Sequence, residues 1–196
     1  SSSNEYSLAI ENNSANLLIN SNFSSALTYW NVFKSGASNV QIVASDESLF
    51  GSSAKITIDQ LSNEAGIFQN KIISSEDVMS FSFYYKSSAS LKFQFIGNPQ
   101  SSSGSKRWWR DDRWNSSEYV YTLENTQGKW KRFELPSIDV TLSDVIISEI
   151  QIKIYSNDVG TGAGSEHLIS NVQLELSNFC TSYTFSSREE PLFNLR

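Results

Sequence analysis

The sequence has few of the residues on which catalysis, metal binding and covalent cross-linking depend. Its 196 residues contain one Cys, Cys180, and one His, His167. A single Cys excludes an internal disulfide, so packing alone must hold the fold together. Ser-His-Asp and Cys-His arrangements would each rest on a single candidate base, and the sequence has no nucleophile elbow, CxxC or HExxH motif. We therefore predict a protein that is not an enzyme, with no catalytic residues and no cofactor.

Basic residues and long apolar runs are also scarce. Fifteen Lys plus Arg stand against 21 Asp plus Glu, which gives a net charge of −6 and a pI near 4.8. A general nucleic-acid-binding domain carries a basic surface, so nucleic acid is not expected as a partner. No stretch approaches the length of about 18 apolar residues that spans a bilayer, and the start SSSNEYSLAI lacks the pattern of a signal peptide. No membrane insertion is predicted.

Ser and Asn supply most of the polar residues in this sequence, where charged residues usually predominate. The chain contains 38 Ser and 17 Asn, whereas only 18% of its residues are charged. Helix surfaces are normally covered by Lys, Glu, Arg and Ala, while Ser and Asn prefer turns and caps. This composition excludes an all-α fold. Hydrophobic residues at 39% and aromatic residues at 13% are sufficient for a packed core.

Four runs alternate apolar and polar residues, which is typical of half-buried strands. Their inward-facing residues are predicted to be Phe81, Phe83 and Tyr85; Leu91, Phe93 and Phe95; Ile150, Ile152 and Ile154; and Val172, Leu174 and Leu176. Weaker strand candidates lie at 16–19, 40–43, 54–58, 65–72, 119–123 and 129–135. Short strands with turn-rich connections and no helical stripe predict an all-β protein, a two-sheet antiparallel β-sandwich of jelly-roll type.

Three regions are expected to stand outside the sandwich. Residues 1–14 are polar and are interpreted as an N-terminal arm or linker, and residues 187–196 as an exit segment after a domain at 15–186. Residues 98–118 are predicted to form one long loop, because the composition of this segment differs from that of the strands.

Three stretches, in order, resemble the carbohydrate-binding modules of families 4, 9 and 22 and their viral relatives. The start NLLINSNFSSALTYWNVF is similar to their opening strand, and GSSAKITI, GIFQNKI and VMSFSFYYK are similar to their central strands. The end, NVQLELSNFCTSYTFSSREE, resembles the C-terminal signature of bacteriophage tail-fibre and virion-surface proteins. The resemblance covers roughly residues 16–190. It implies a jelly-roll sandwich that binds glycans in some members and builds the virion in others, at the virion surface.

The carbohydrate-binding relatives often hold a structural Ca²⁺ through an acidic side chain after the early Phe and an Asp before the last strand. Ser24 and Ser170 stand at those places here. Because Ca²⁺ prefers carboxylate oxygens, we predict no metal, although carbonyl groups with Asp46, Glu47 or Asp59 remain an alternative. Trp30 and Trp130 match positions inside the sandwich and are expected to serve packing.

The most distinctive segment is KRWWRDDRWN at 106–115, which holds three of the five Trp. Its four basic and two acidic residues give it a net charge of +2, against −8 for the rest of the chain. Aromatic rings cover the apolar face of a sugar, planar polar groups take its hydroxyls, and positive charge favours an anionic glycan. The predicted ligand-binding or interface residues are Arg107, Trp108, Trp109, Arg110, Asp111, Asp112, Arg113 and Trp114, with Tyr119 and Tyr121 as an extension of the aromatic platform.

Three uses of this segment remain open. Trp, Tyr and Arg are equally common at protein interfaces, so its partner is either a cell-surface glycan or a neighbouring virion subunit. The loop could also fold back and bury its Trp against the sandwich. The sequence therefore predicts a non-enzymatic virion-surface or tail-fibre component, a homo-oligomer with a trimer favoured. The alternatives are a purely structural virion protein and the accessory module of a secreted bacterial enzyme.

Overall fold

The computed structural model describes residues 15–44, 51–162 and 164–182. The predicted arm at 1–14 and exit segment at 187–196 lie outside these ranges. The described strands are β1 (Asn31–Lys34), β2 (Asn39–Ala44), β3 (Ser52–Ile58), β4 (Ala65–Ile72), β5 (Val78–Ser87), β6 (Leu91–Pro99), β7 (Arg107–Arg110), β8 (Arg113–Asn115), β9 (Tyr121–Leu123), β10 (Lys131–Asp139), β11 (Ile147–Ser156) and β12 (Ser165–Glu175), with a 3₁₀ turn at Val140–Leu142. No helix in these ranges is long and apolar enough to cross a membrane.

The strands form two antiparallel sheets. The larger, seven-stranded sheet has the order β1-β4-β11-β6-β7-β8, with β9 paired to β6 on the same edge as β7. The smaller, five-stranded sheet has the order β10-β5-β12-β3-β2. This confirms the predicted all-β sandwich of jelly-roll type. Apart from β2–β3, β6–β7 and β7–β8, the paired strands are not consecutive in sequence, so each sheet assembles from distant parts of the described chain.

The core lies between the sheets and is built from the inward-facing residues of the alternating runs. Phe81 on β5 and Phe93 on β6 stack with their ring centroids 4.9 Å apart and so join the smaller sheet to the larger one. Ile150, Ile152 and Ile154 are fully buried on β11. Burying each such side chain stabilises the fold by about 1.5–3 kcal/mol relative to leaving it in water. Packing of this kind replaces the disulfides that the sequence cannot form.

The N-terminal segment was predicted to be a strand at 16–19 but consists of bends. Asn20 organises it: its Nδ2 donates to the carbonyl oxygens of Ala26 and Thr28, both at 2.9 Å, and its Oδ1 accepts from the Ser25 amide. The Asn20 carbonyl in turn accepts from Nε1 of the buried Trp30 at 2.9 Å. Local side-chain bonds therefore replace a strand ladder here, and Trp30 packs internally as expected.

The last strand differs from its prediction on both faces. Leu176, expected to face inward, lies beyond the end of β12 and is 48% exposed. The polar side chains of Gln173 and Glu175 are fully buried instead of wet. Residues 176–182 lie over this outer face of the smaller sheet, where Gln173 donates to Thr181 Oγ1 (3.0 Å) and the Thr181 amide donates to Glu175 (3.1 Å). Period-2 alternation could not foresee this cover.

Candidate functional site

Residues 107–115, predicted as part of one long loop, form a β-hairpin that extends the larger sheet. β7 and β8 pair with each other, and β7 pairs with β6 at Ile96 and Gly97. Asp111 and Asp112 form a two-residue turn with positive φ values of 51° and 55°. Positive φ at both positions is the geometry of a type I′ turn, which matches the twist of the two strands that it joins. The hairpin therefore fixes where each predicted site residue points.

Two of the three Trp residues in this hairpin face the core. Trp109 is 1% exposed and Trp114 is 7% exposed, and the two form a cross-strand pair with ring centroids 5.3 Å apart. Nε1 of Trp114 donates to the Asp139 carbonyl at 2.9 Å. Both side chains are part of the hydrophobic core and are not accessible to a ligand in this structure. The intramolecular alternative thus holds for these two residues.

Arg107 also serves the fold. It is buried, and its guanidinium binds the Asp144 carboxylate through two bonds, Nε to Oδ1 at 2.6 Å and Nη2 to Oδ2 at 2.9 Å. This hydrogen bonding lowers the pKa of Asp144 and raises that of Arg107. The pair ties the hairpin to the connection before β11. Sequence reasoning missed Asp144, which lies 37 residues further along the chain.

Trp108 lies on the opposite side of β7 from Trp109, on the outer face of the larger sheet, where its indole is partly exposed. The Arg110 guanidinium lies 4.8 Å from the centroid of the Tyr119 ring and forms a 2.8 Å ion pair with Asp111. Asp112 and Arg113 are exposed at the turn and on β8. Together these side chains form one end of a polar and aromatic surface.

Tyr119 and Tyr121 do not share one exposed face as expected. They meet edge to face at 4.8 Å, but Tyr121 points inward and packs on Phe93 at 5.5 Å. Its hydroxyl donates to the Trp109 carbonyl at 2.9 Å, and burial raises its pKa well above the ordinary value. Tyr119 therefore remains on the surface, while Tyr121 supports the hairpin from below.

A second aromatic group lies on the same outer face, on β1, β4 and β11. Phe33 contacts Phe68 and Tyr155 with ring centroids 6.4 and 6.1 Å apart. The ammonium group of Lys153 lies 4.6 Å from the centroid of Phe33 and 4.5 Å from that of Tyr155. Sequence analysis missed these residues, because only the pairing of β1, β4 and β11 brings them together. The available signal was the aromatic residue at the polar position of the run EIQIKIY.

Amide and carboxylate side chains form a hydrogen-bonded network between the two aromatic groups. Glu149 accepts from Asn98 at 2.8 Å and from Asn70 at 3.1 Å, and Gln151 donates to Asn70 at 3.0 Å. A shorter chain runs from Gln94 Nε2 to Glu118 at 2.8 Å. These groups present both donors and acceptors at the surface, which is what a polyhydroxylated ligand requires.

Two polar atoms at this surface have no hydrogen-bond partner. They are Nε1 of Trp108 and Oδ1 of Asn98, a donor and an acceptor. Paired residues, and residues two positions apart on one strand, point to the same face of a sheet. Trp108 pairs with Ile96, and Asn98 follows Ile96 by two residues on β6, so both side chains lie on the outer face. Both atoms are shielded from solvent, and desolvated polar atoms without partners cost free energy in the unbound protein.

We define the outer-face site as Phe33, Phe68, Asn70, Gln94, Asn98, Trp108, Arg110, Glu118, Tyr119, Glu149, Gln151, Lys153 and Tyr155. All of these residues lie on the larger sheet or on the segment leading into β9. Their side chains lie on the outer face of that sheet, away from the sandwich core, or at the border of the outer face. Taking about 3.3 Å per residue along a strand and about 4.8 Å between strands, Tyr155 and Trp108 are roughly 16 Å apart. The surface is long enough for an oligosaccharide.

The single His is not placed for catalysis. His167 has no exposed surface, and its Nε2 lies 2.8 Å from Ser165 Oγ inside the sandwich. Burial lowers the pKa of His167 to about 4, so the ring is neutral near pH 7. Neither this pair nor Cys180, whose pKa is raised by burial, forms a substrate-accessible nucleophile and base.

The positions implied for the family Ca²⁺ do not fit the ion. Ser24 is exposed, whereas Ser170 is buried and donates to Asn171 Oδ1 at 2.7 Å. Asp59 is engaged by Asn63 at 2.9 Å and by Ser38, which lower its pKa to about 2. Within the described ranges no three His, Cys, Asp or Glu residues cluster as metal ligands. Asp46 and Glu47 lie outside those ranges, and the absence of a metal stays a prediction.

No protein-family model and no curated protein sequence matches this chain. Solved structures match it in fold. The enzymatically active domain of tailspike protein 4 from bacteriophage CBA120 aligns with a TM-score of 0.60, 14% identity, and coverage of 83% of this chain and 21% of that one. TmCBM61, solved with β-1,4-galactotriose, aligns with a TM-score of 0.58, 18% identity, and coverage of 84% of this chain and 100% of that one.

A family 16 carbohydrate-binding module aligns similarly, with a TM-score of 0.55, 12% identity, and coverage of 81% of this chain and 99% of that one. The chain therefore spans the length of such modules but only about a fifth of the tailspike chain. At these identities the likeness concerns the fold. The protein is a jelly-roll sandwich of the kind found in carbohydrate-binding modules, and its function must be argued from its own site.

Proposed function

We propose that this chain is a non-catalytic glycan-binding module of a virion-surface or tail-fibre protein, and that it binds glycan on the outer face of its larger sheet. The observation that carries the proposal is the composition of that face. Partly exposed aromatic side chains at Trp108 and at Phe33, which packs on the buried Tyr155, flank a network of amides and carboxylates centred on Glu149.

The chemistry of this face matches the two surfaces of a sugar. Pyranose rings present an apolar patch of C–H groups, which aromatic rings cover, and a rim of hydroxyls, which both donate and accept hydrogen bonds. The amides and carboxylate of the network around Glu149 supply donors and acceptors at the surface. Because the side chains lie on paired strands, the surface is rigid before the ligand arrives, which lowers the entropic cost of binding.

The virion assignment is supported by two independent likenesses. The C-terminal sequence resembles that of phage tail-fibre proteins, and the fold matches part of a phage tailspike protein. Mass spectrometry of purified virions that carry this chain, followed by antibody labelling of intact particles, tests the assignment. Detection of the chain only beside a catalytic domain in a secreted bacterial enzyme would replace the virion role and leave glycan binding intact.

Binding is tested with a glycan array followed by calorimetry on the glycans retained. Trp108→Ala and Phe33→Ala should each weaken binding about tenfold or more, since an aromatic contact is worth about 1 kcal/mol beyond the area that it buries. Trp130→Ala is the matched control, because Trp130 is a half-buried Trp that contacts Lys86, on the outer face of the smaller sheet. Equal loss in all three variants, or none, would refute the outer-face site.

A second candidate function is subunit contact, favoured by exposed aliphatic side chains at one end of the sandwich. Ile72, Leu142 and Ile146 are 79%, 57% and 61% exposed. They lie where β4 ends, where the 3₁₀ turn follows β10, and where β11 begins. Light scattering of the isolated chain tests this candidate, with a trimer favoured. Ile146→Glu should dissociate an oligomer that uses this end.

A further inference from the structure

Two of the four cations in residues 106–115 are already paired. The guanidinium of Arg107 is bound to Asp144, and that of Arg110 is bound to Asp111. Lys106 and Arg113 are exposed, where water and salt screen their charge. A less screened cation elsewhere on the outer-face site is therefore a stronger candidate for recognising an anionic ligand.

Lys153 is the cation best placed for that role. It lies on β11, between Phe68 on β4 and Gln94 on β6, and its ammonium is seated between the rings of Phe33 and Tyr155 at 4.6 and 4.5 Å. The rings replace part of the water that would otherwise solvate the charge, so its field toward the open side is weakly screened. Its side chain is half-buried on the floor of the site.

No carboxylate within the described parts of the chain forms an ion pair with Lys153. The nearby carboxylate of Glu118 accepts instead from Gln94 at 2.8 Å. Lys92, which pairs with Tyr155 across the strands, is a diagonal neighbour of Lys153 on the same face and is likewise without an ion-pair partner there. Neither ammonium group is therefore neutralised by an ion pair within the described residues.

We propose that the glycan bound by this site is anionic and that Lys153, assisted by Lys92, recognises its carboxylate or sulfate group while the partly exposed Phe33 contacts the sugar ring. The inference rests on the proposed glycan-binding function and specifies its ligand class. A neutral sugar offers Lys153 only a hydroxyl dipole, whereas an anionic group adds a charge-assisted bond. Lys153 is therefore a specificity-determining residue.

The test compares acidic glycans with their own neutral forms. Polygalacturonate, alginate and hyaluronan are each assayed beside their carboxyl-reduced forms, and dextran sulfate beside dextran, by calorimetry at low and high salt. The protein should bind at least one acidic form about tenfold more tightly than its neutral partner, with an advantage that shrinks as salt increases. The carboxylate and sulfate arms distinguish which group is recognised.

Lys153→Met should abolish this preference, because Met fills the same space between the rings without a charge. Lys86→Met is the matched control, since Lys86 lies 5.9 Å from the Trp130 ring on the opposite sheet and should leave the preference intact. Thermal melts of both variants verify folding.

Two results would overturn the inference, and they are distinguishable. Neutral glycans bound as tightly as acidic ones, with loss in Trp108→Ala but not in Lys153→Met, would refute the anionic preference and leave the proposed function standing. No binding to any acidic or neutral glycan on an array would refute the proposed function and the inference with it.

Discussion

The two neighbouring Trp residues of the hairpin should respond to truncation in opposite ways. Trp109 is 1% exposed and packs on Trp114 in the core, whereas Trp108 lies partly exposed on the outer face. Removing a buried Trp side chain costs the lost transfer free energy and leaves a cavity, about 3–5 kcal/mol in total. For a chain of this length that corresponds to a decrease of roughly 6–20 °C in Tm. Trp108→Ala should cost about 1–2 kcal/mol, because its indole is only half removed from water.

The assay combines denaturant unfolding with calorimetry at low temperature, where both variants remain folded. Trp109→Ala should unfold at much lower denaturant yet bind glycan with nearly the wild-type affinity, whereas Trp108→Ala should unfold almost like wild type and bind weakly. Trp109→Phe serves as a control that restores most of the packing. If Trp109→Ala abolished binding with an unchanged unfolding midpoint, the orientation of the hairpin would be wrong.

Three further perturbations test the parts of the fold that support the site. His167 is neutral in the folded protein with a pKa of about 4 but accepts a proton near pH 6.5 when unfolded, so up to about 3 kcal/mol of stability should be lost as pH falls from about 6.5 to about 4. His167→Gln should remove that part of the pH dependence in denaturant melts, and identical slopes would contradict it. Asp144→Asn, which leaves the buried Arg107 without its anion, should lower Tm and increase hydrogen exchange in the hairpin, while a hairpin as protected as in wild type would refute this role. Asn20→Ala should destabilise the protein by about 1–3 kcal/mol in the same melts, because the carbonyls of Ala26 and Thr28 lose the buried amide that donates to them, and an unchanged midpoint would count against it.

The strands that could be predicted are those whose two faces meet different environments. Phe81, Phe83 and Tyr85 are buried as the alternation predicts, because one side of β5 faces the core. Period-2 alternation failed to predict strands whose outer face is covered by another segment of the chain or whose two faces do not differ in polarity. Residues 176–182 cover the polar face of β12. Residues 98–118 were assigned to a loop, whereas Arg107–Arg110 form a strand although RWWR does not alternate polar and apolar residues, and Asp111 and Asp112 form the turn after it.

The candidate site was only partly predictable. Composition drew attention to residues 106–115, but it could not separate Trp108, which reaches the surface, from Trp109, which does not. The distinction depends on which face of β7 meets the core, and this follows from its pairing with β6. Phe33, Lys153 and Tyr155 were missed because their sequence positions are far apart and each is unremarkable alone.

By itself the sequence determined the fold class and the absence of an internal disulfide. Period-2 alternation and abundant Ser and Asn indicate strands and turns through local preferences, and a single Cys excludes an internal disulfide by number alone. Only the tertiary structure decided the candidate surface. Strand order and register place β1, β4, β11, β6 and β7 side by side, and that arrangement depends on pairing between residues up to about 90 positions apart. Burial and charge pairing depend on which residues are neighbours in space. That assembly therefore decides which aromatic rings are buried and which lysine lacks an ion-pair partner among the described residues.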